Sequence, residues 1–241
     1  TGFVALIVLL TKVFESSGQS WGVILAIVAG ATMTLGNLVA LQQTNPVRLL
    51  AYSSISQAGF IIAPLAVSGI TGNYQDGIFA SVTYLIIYAF MNIGAFLSVH
   101  LFTNFTNSDN FYEWGGIAKH SPLAGVLTTV FFFSLAGIPP LGGWFAKFVV
   151  FRSLLSTGEI IGISLAIVGA INAVIALVYY ARISKVIWMD ELKNPEEEKS
   201  FEFQSPLKVV GALTVLITFV AGIFPGIFSY LGEVSSIFFG N

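Results

Sequence analysis

Residues 134–151 read SLAGIPPLGGWFAKFVVF, an apolar, membrane-type segment broken by prolines and glycines and carrying one lysine. Lys147 is the only charged side chain between Lys119 and Arg152. Hydrocarbon cannot hydrogen-bond the backbone that such a break releases, and a lysine at bilayer depth costs roughly 2.5–3.5 kcal/mol on insertion scales. Neither defect suits a lipid-facing surface. Together they predict a protein-enclosed, hydrated cavity in which Lys147 takes up and releases protons.

Working outward, residues 121–151 would measure about 46 Å as one straight helix, well beyond the hydrocarbon thickness of about 30 Å. Gly137, Pro139, Pro140, Gly142 and Gly143 supply a flexible break, which predicts two half-helices joined by an unwound stretch near 138–143. Carbonyls at the end of the first half would favour the lysine ammonium. The positive end of the second half, starting near Trp144, would oppose it. Snorkelling of Lys147 to a headgroup is disfavoured, because Phe148, Val149, Val150 and Phe151 follow and Arg152 already takes the interfacial position about 7 Å further on.

The whole composition agrees with a membrane protein. Hydrophobic residues make up 56%, charged residues 9%, and the mean hydropathy is +0.86, whereas soluble domains carry about 25% charged residues. An all-α, polytopic helical bundle in a lipid bilayer follows. A net charge of −2 with scattered basic residues speaks against nucleic-acid partners. With no cysteine, and with His100 and His120 at distant segment ends, no metal site, redox centre or bound cofactor is expected in this chain.

Runs of about 20 apolar residues suit a bilayer crossing, and they fall at 21–41, 49–69, 77–103, 121–155 (broken), 160–187 and 207–231. They predict one transmembrane domain over 1–241. The run after Thr1 reads as a partial helix over 1–14, so the chain is expected to open partway through a helix. Arg48, Lys119, Arg182, Lys185, Lys193, Lys199 and Lys208 gather at one set of segment ends, against Lys12 and Arg152 at the other. The positive-inside rule then puts the charged loop 188–206 in the cytoplasm and the C-terminus on the outer side.

Polar residues recur at helical spacing inside these spans. Tyr84, Tyr88 and Asn92 share one face, Ser53, Ser56 and Gln57 lie close together in the preceding span, and Asn172, Tyr179 and Tyr180 follow the break. Such groups either hold a file of water for protons or tie helices together, and spacing leaves both open.

Five stretches, RLLAYSSISQAGF at 48–60, YLIIYAFMNIGAF at 84–96, HSPLAG at 120–125, SLAGIPPLGGWFAKF at 134–148 and ALVYYARI at 176–183, carry a resemblance covering nearly the whole chain. The chain resembles the antiporter-like membrane subunits of respiratory complex I, the NADH-quinone oxidoreductase. Within them it is most similar to the subunit N branch, which includes subunit 2 of mitochondria and its counterpart in photosynthetic relatives.

The resemblance implies the second half of a fourteen-helix, inverted-repeat fold, from within helix 8 to helix 14, with 121–155 as its broken helix. It implies Lys147 as the proton carrier of a non-redox, proton-translocating subunit. It further implies membrane-arm partner subunits, with quinone, flavin and iron-sulfur clusters held elsewhere in the complex. The implied location is an energy-transducing membrane, the bacterial plasma membrane first, with the thylakoid or mitochondrial inner membrane as alternatives. Gln57 stands where some relatives carry histidine, which leaves a neutral relay through bound water as the role open to that position. A multisubunit Na+/H+ antiporter is the rival reading, and a purely structural subunit the third.

Overall fold

A computed structural model describes residues 2–191 and 205–240. Thr1, Lys193, Glu196, Glu197, Glu198, Lys199 and most of the 188–206 loop lie outside the described residues, as does the side chain of Lys208. Every regular element described is helical. In chain order these are α1 (Gly2–Val8), extended by a π turn over Leu9–Val13, then α2 (Gly18–Leu41), α3 (Pro46–Thr71) and α4 (Tyr74–Thr106). A short α5 (Ile117–His120) leads into α6 (Pro122–Ala136), α7 (Gly142–Ser156), α8 (Ile160–Met189), α9 (Ser205–Ile223) and α10 (Gly226–Gly240).

Local chemistry sets the ends of these helices. Asn45 accepts a hydrogen bond from the Arg48 N–H and Pro46 takes the first helical position of α3, both favourable at an N-terminus. Gly72 ends α3 at φ 76°, a left-handed conformation that glycine adopts without steric cost. Asn73 then caps α4 by accepting from the Asp76 N–H, so two long helices are joined through one tight corner.

Burial ranks the helices by depth. The most apolar stretch of α3 is 72% buried, against 33% for α2 and α8, which turn Ile24, Ile27, Leu35, Ile163, Ile167 and Ile171 outward. With α2, α3, α4 and α8 all long and apolar enough to cross a bilayer, the outward isoleucines and leucines suit lipid or neighbouring protein, and α3 is the enclosed member.

The break lies between α6 and α7 at residues 137–141, slightly earlier than the 138–143 expected from sequence. Gly137 alone uses a left-handed φ, of 94°. Gly142 and Gly143 already belong to the first turn of α7, and what they provide is proximity. A Cβ on Gly143 would lie 1.7 Å from the Ser134 carbonyl oxygen, and one on Gly142 would meet Ala221, Ile87 and the Thr218 carbonyl at 3.0 Å. From the other side, Gly222 of α9 faces the Pro140 carbonyl so closely that its Cβ would come within 1.8 Å.

The segment 207–231 is not one continuous helix: α9 and α10 meet at 85°. Pro225 explains the corner, since proline disfavours helical backbone at Phe224 before it and cannot itself donate to the preceding turn. Beyond the corner α10 packs along α4, with Gly232 against Phe79 and Thr83.

Replacing Gly143 by Ala should therefore force apart α6 and α7, at a cost of about 1–3 kcal/mol for an overpacked contact. A thermal unfolding scan in detergent would show a lowered Tm. Gly226→Ala, where nothing lies within 4 Å of the new Cβ, should leave Tm unchanged.

Candidate functional site at the helix break

Helical geometry and two prolines create the site. The carbonyls of Leu135 and Ala136 would ordinarily accept from the N–H groups four residues on, but those residues are Pro139 and Pro140, which have none. The earlier carbonyls are satisfied locally: Gly137 N–H donates to Phe133 O and Ser134 O, and Ile138 N–H donates to Phe133 O at 2.9 Å, closing a Schellman motif. Two acceptors remain at the negative end of α6.

Lys147 takes both. Its Nζ donates to Leu135 O at 3.0 Å and to Ala136 O at 2.6 Å, with the side chain only 5% exposed. The Phe60 ring lies under the ammonium, 5.3 Å from Nζ to the ring centroid, in cation–π range. On the opposite half-helix the Gly143 N–H donates to Ser134 Oγ at 3.0 Å, and Ser134 Oγ in turn points at Met91 Sδ. Each half-helix thus satisfies free backbone groups of the other.

A short polar relay reaches this centre from α3 and α4. Gln57 Nε2 donates to the same Leu135 carbonyl at 3.2 Å, and Gln57 Oε1 accepts from the Tyr84 hydroxyl. The Tyr84 ring stacks parallel to Phe60 at 6.0 Å. Of the sequence-predicted path residues, Gln57 therefore meets Lys147 at the shared Leu135 carbonyl, and Tyr84 is one hydrogen bond further out.

The others are distributed differently. Ser53 pairs with the Tyr180 hydroxyl, and Tyr88 donates to Ser54 at 2.8 Å, which places both pairs about one turn from Gln57 along α3. Tyr179 donates instead to Asn37 Oδ1 at 2.9 Å, and Asn37 donates to the Asn172 carbonyl and side-chain oxygen at 3.0 Å. This buried cluster clamps α2 to α8 and reads as interhelical tying. Asn92 is half-buried and joins none of these groups among the described residues.

Residues 1–175 match the family described as NADH:quinone oxidoreductase/Mrp antiporter, TM. The chain belongs to that family. A relative in Desulforamulus reducens, NADH-quinone oxidoreductase subunit N, is 34% identical over 224 residues, covering 93% of this chain and 44% of the relative. In Picosynechococcus sp., NAD(P)H-quinone oxidoreductase subunit 2 is 39% identical over 230 residues, 92% of this chain and 42% of the relative. Among solved structures, a chain of the Mrp complex from Dietzia sp. DQ12-45-1b superposes with a TM-score of 0.82 at 20% identity, over 97% of this chain and 50% of that one. The chain thus spans less than half the length of these curated relatives, and it shares the family's antiporter-like, all-helical membrane fold.

Several members of the site were missed by sequence reasoning. Phe60, Ser134, Ser54 and Asn37 carry no charge, and serine or phenylalanine in an apolar span has no mark of its own. Two had a usable signal: Phe60 follows Gln57 by three residues on one helical face, and Ser134 lies nine residues before Gly143 across the break. Removing the Tyr84 hydroxyl with Tyr84→Phe leaves the Gln57 amide oxygen without its donor, which should cost about 1–3 kcal/mol. The check is a lowered Tm for the variant in detergent alongside an unchanged helical circular-dichroism spectrum.

Proposed function

We propose that this chain is part of a proton-translocating, non-redox membrane subunit of a complex I-type quinone oxidoreductase, with Lys147 as its proton carrier. The observation that carries this reading is the Lys147 ammonium, buried and held on two carbonyls that the helix break leaves free. A buried amine held on carbonyls inside a membrane bundle can change its proton occupancy as the water and charge around it change. Gln57 and Tyr84 supply a neutral hydrogen-bonded route to it, able to pass a proton through bound water without themselves becoming charged.

In this reading other membrane-arm subunits pack against the outward apolar faces, and quinone, flavin and iron-sulfur clusters reside in partner chains. The names of the subunit N and subunit 2 relatives support it. The membrane is an energy-transducing one, the bacterial plasma membrane first. The ends carrying Arg48, Lys119, Arg182 and Lys185 face the cytoplasm, the charged loop 188–206 lies on that side, and the C-terminus faces outward. One transmembrane domain spans the chain.

The second reading is a subunit of a multisubunit Na+/H+ antiporter, favoured by the structural likeness to the Mrp complex chain. Lys147→Ala in the assembled complex separates the two. Coupled proton pumping should fall by the share this subunit carries, while assembly and quinone reduction survive; unchanged pumping refutes the carrier role. If the variant loses sodium-driven proton exchange in vesicles lacking any redox partner, the antiporter reading replaces the first.

A further inference from the structure

This inference rests on Lys147 as proton carrier and asks where its proton leaves. The ammonium is enclosed, so release needs polar groups between it and one end of the bundle. On α4, Gly77, Ser81 and Tyr84 follow one another at four- and three-residue steps and so share a face. Tyr84 meets Gln57 and Phe60 of α3, and Gly77 packs on Pro64 and Ser68, where a Cβ would lie 2.9 Å from the Pro64 carbonyl and 2.4 Å from Ser68 Oγ. In this antiparallel register Ser81 falls opposite the Phe60–Pro64 turn of α3.

Along that stretch one hydroxyl is unsatisfied and one carbonyl lacks its usual helical donor. The Ser81 hydroxyl is 0% exposed and has no hydrogen-bond partner among the described residues. Pro64 sits inside α3 without an N–H for the carbonyl of Phe60. Leaving a buried polar group unmatched costs about 1–3 kcal/mol, and in folded proteins such groups take ordered water. Both features therefore call for water between Tyr84 and the α3–α4 corner.

An acid stands at the outer end of that stretch. Asp76 Oδ2 accepts from Ser153 Oγ at 2.7 Å and from Ser156 Oγ at 3.5 Å, and Ser153 is 4% exposed. With Ser68, Thr71, Asn73 and Thr157 the pair lines a narrow pocket at the corner. Asp76 lies about 12 Å along α4 from Tyr84, and Ser153 about 9 Å along α7 from Lys147, so both helices lead from the lysine to the same acid.

We infer that Asp76 is the proton-release group of this site, reached from Lys147 through Tyr84, Ser81 and water held at the Ser81 hydroxyl, with Ser153 as its hydrogen-bonded latch. In the step an N–H bond of the ammonium breaks and an O–H bond forms on the Asp76 carboxylate. Each relaying hydroxyl and water gains one proton and gives up another, and no electron moves. Asp76 then loses its proton to the aqueous side. Its position in the first turn of α4 also suits the helix dipole, so the test must separate release from helix stabilisation.

Lys147→Ala, Asp76→Asn, Asp76→Glu and Ser81→Ala are introduced separately into the complete complex, and protons moved per electron are measured in closed membrane vesicles with a pH-sensitive dye. Asparagine still accepts from Ser153 but cannot take up a proton. Asp76→Asn should lower the ratio by the same fraction as Lys147→Ala, Ser81→Ala should lower it by a smaller share, and Asp76→Glu should restore it. If Lys147→Ala lowers the ratio while Asp76→Asn and Ser81→Ala match the wild type, the release group is not Asp76 and the carrier stands. A wild-type ratio with reduced yield for Asp76→Asn assigns it a helix-stabilising role and overturns the inference. Should Asp76→Asn fail to assemble, the Ser81→Ala ratio decides. A wild-type ratio in Lys147→Ala removes the carrier and the release group together.

Discussion

Two carbonyl oxygens at the end of α6, those of Leu135 and Ala136, are deprived of helical donors by two consecutive prolines, and one ammonium fills both positions. Much of the bundle's interior follows from satisfying them. An ammonium bonded to backbone carbonyls makes charge-assisted hydrogen bonds, about twice as strong as neutral ones, and it stands at the negative end of a helix dipole. Reaching that end from α7 requires the half-helices to cross almost in contact, hence Gly143 over Ser134. It also requires a cover for the exposed turn, provided by α9 through Gly222 and Ala221.

Around this centre the buried polar groups separate into two kinds. Gln57 and Tyr84 converge on the carbonyl that Lys147 already holds, so any change at the lysine is felt by them directly. Asn37, Asn172, Tyr179 and Thr34 form a second set between α2 and α8, in which the Asn37 amide donates to Asn172 and the Asn172 amide donates to Thr34 and to the Val168 carbonyl. Sets of this kind hold helices in register. Their residue types are the same, and their partners alone distinguish them.

That distinction marks where sequence reading stopped. The all-helical membrane fold, the discontinuous helix and the buried lysine were legible because charge and proline are rare inside apolar spans, so each occurrence is informative. Tyr179 and Asn92 shared the helical spacing of Tyr84 and Gln57 yet join a different cluster or none. Spacing gives the face of a helix, whereas the identity of the neighbouring helix depends on how α2, α3, α4 and α8 pack. The corner between α9 and α10 was carried by Pro225 in an otherwise continuous apolar run, and hydropathy alone averaged over it. The donors missing at Pro139 and Pro140 were countable from the start, since both stand four residues after a carbonyl that needed them.

Glycine at the break has a mechanical meaning of its own. A pivot requires free volume on at least one side, and the atoms around Gly142, Gly143 and Gly222 leave none: the Ser134 and Pro140 carbonyls press on Gly143 and Gly222, and Ala221, Ile87 and the Thr218 carbonyl crowd Gly142. The joint is a rivet. Motion imposed on α7 is therefore transmitted to α6 and α9 as displacement of whole segments, since bending at the glycines would drive main-chain atoms into one another. A break that reads as looseness in one dimension works in three as a stiff coupling across the bundle.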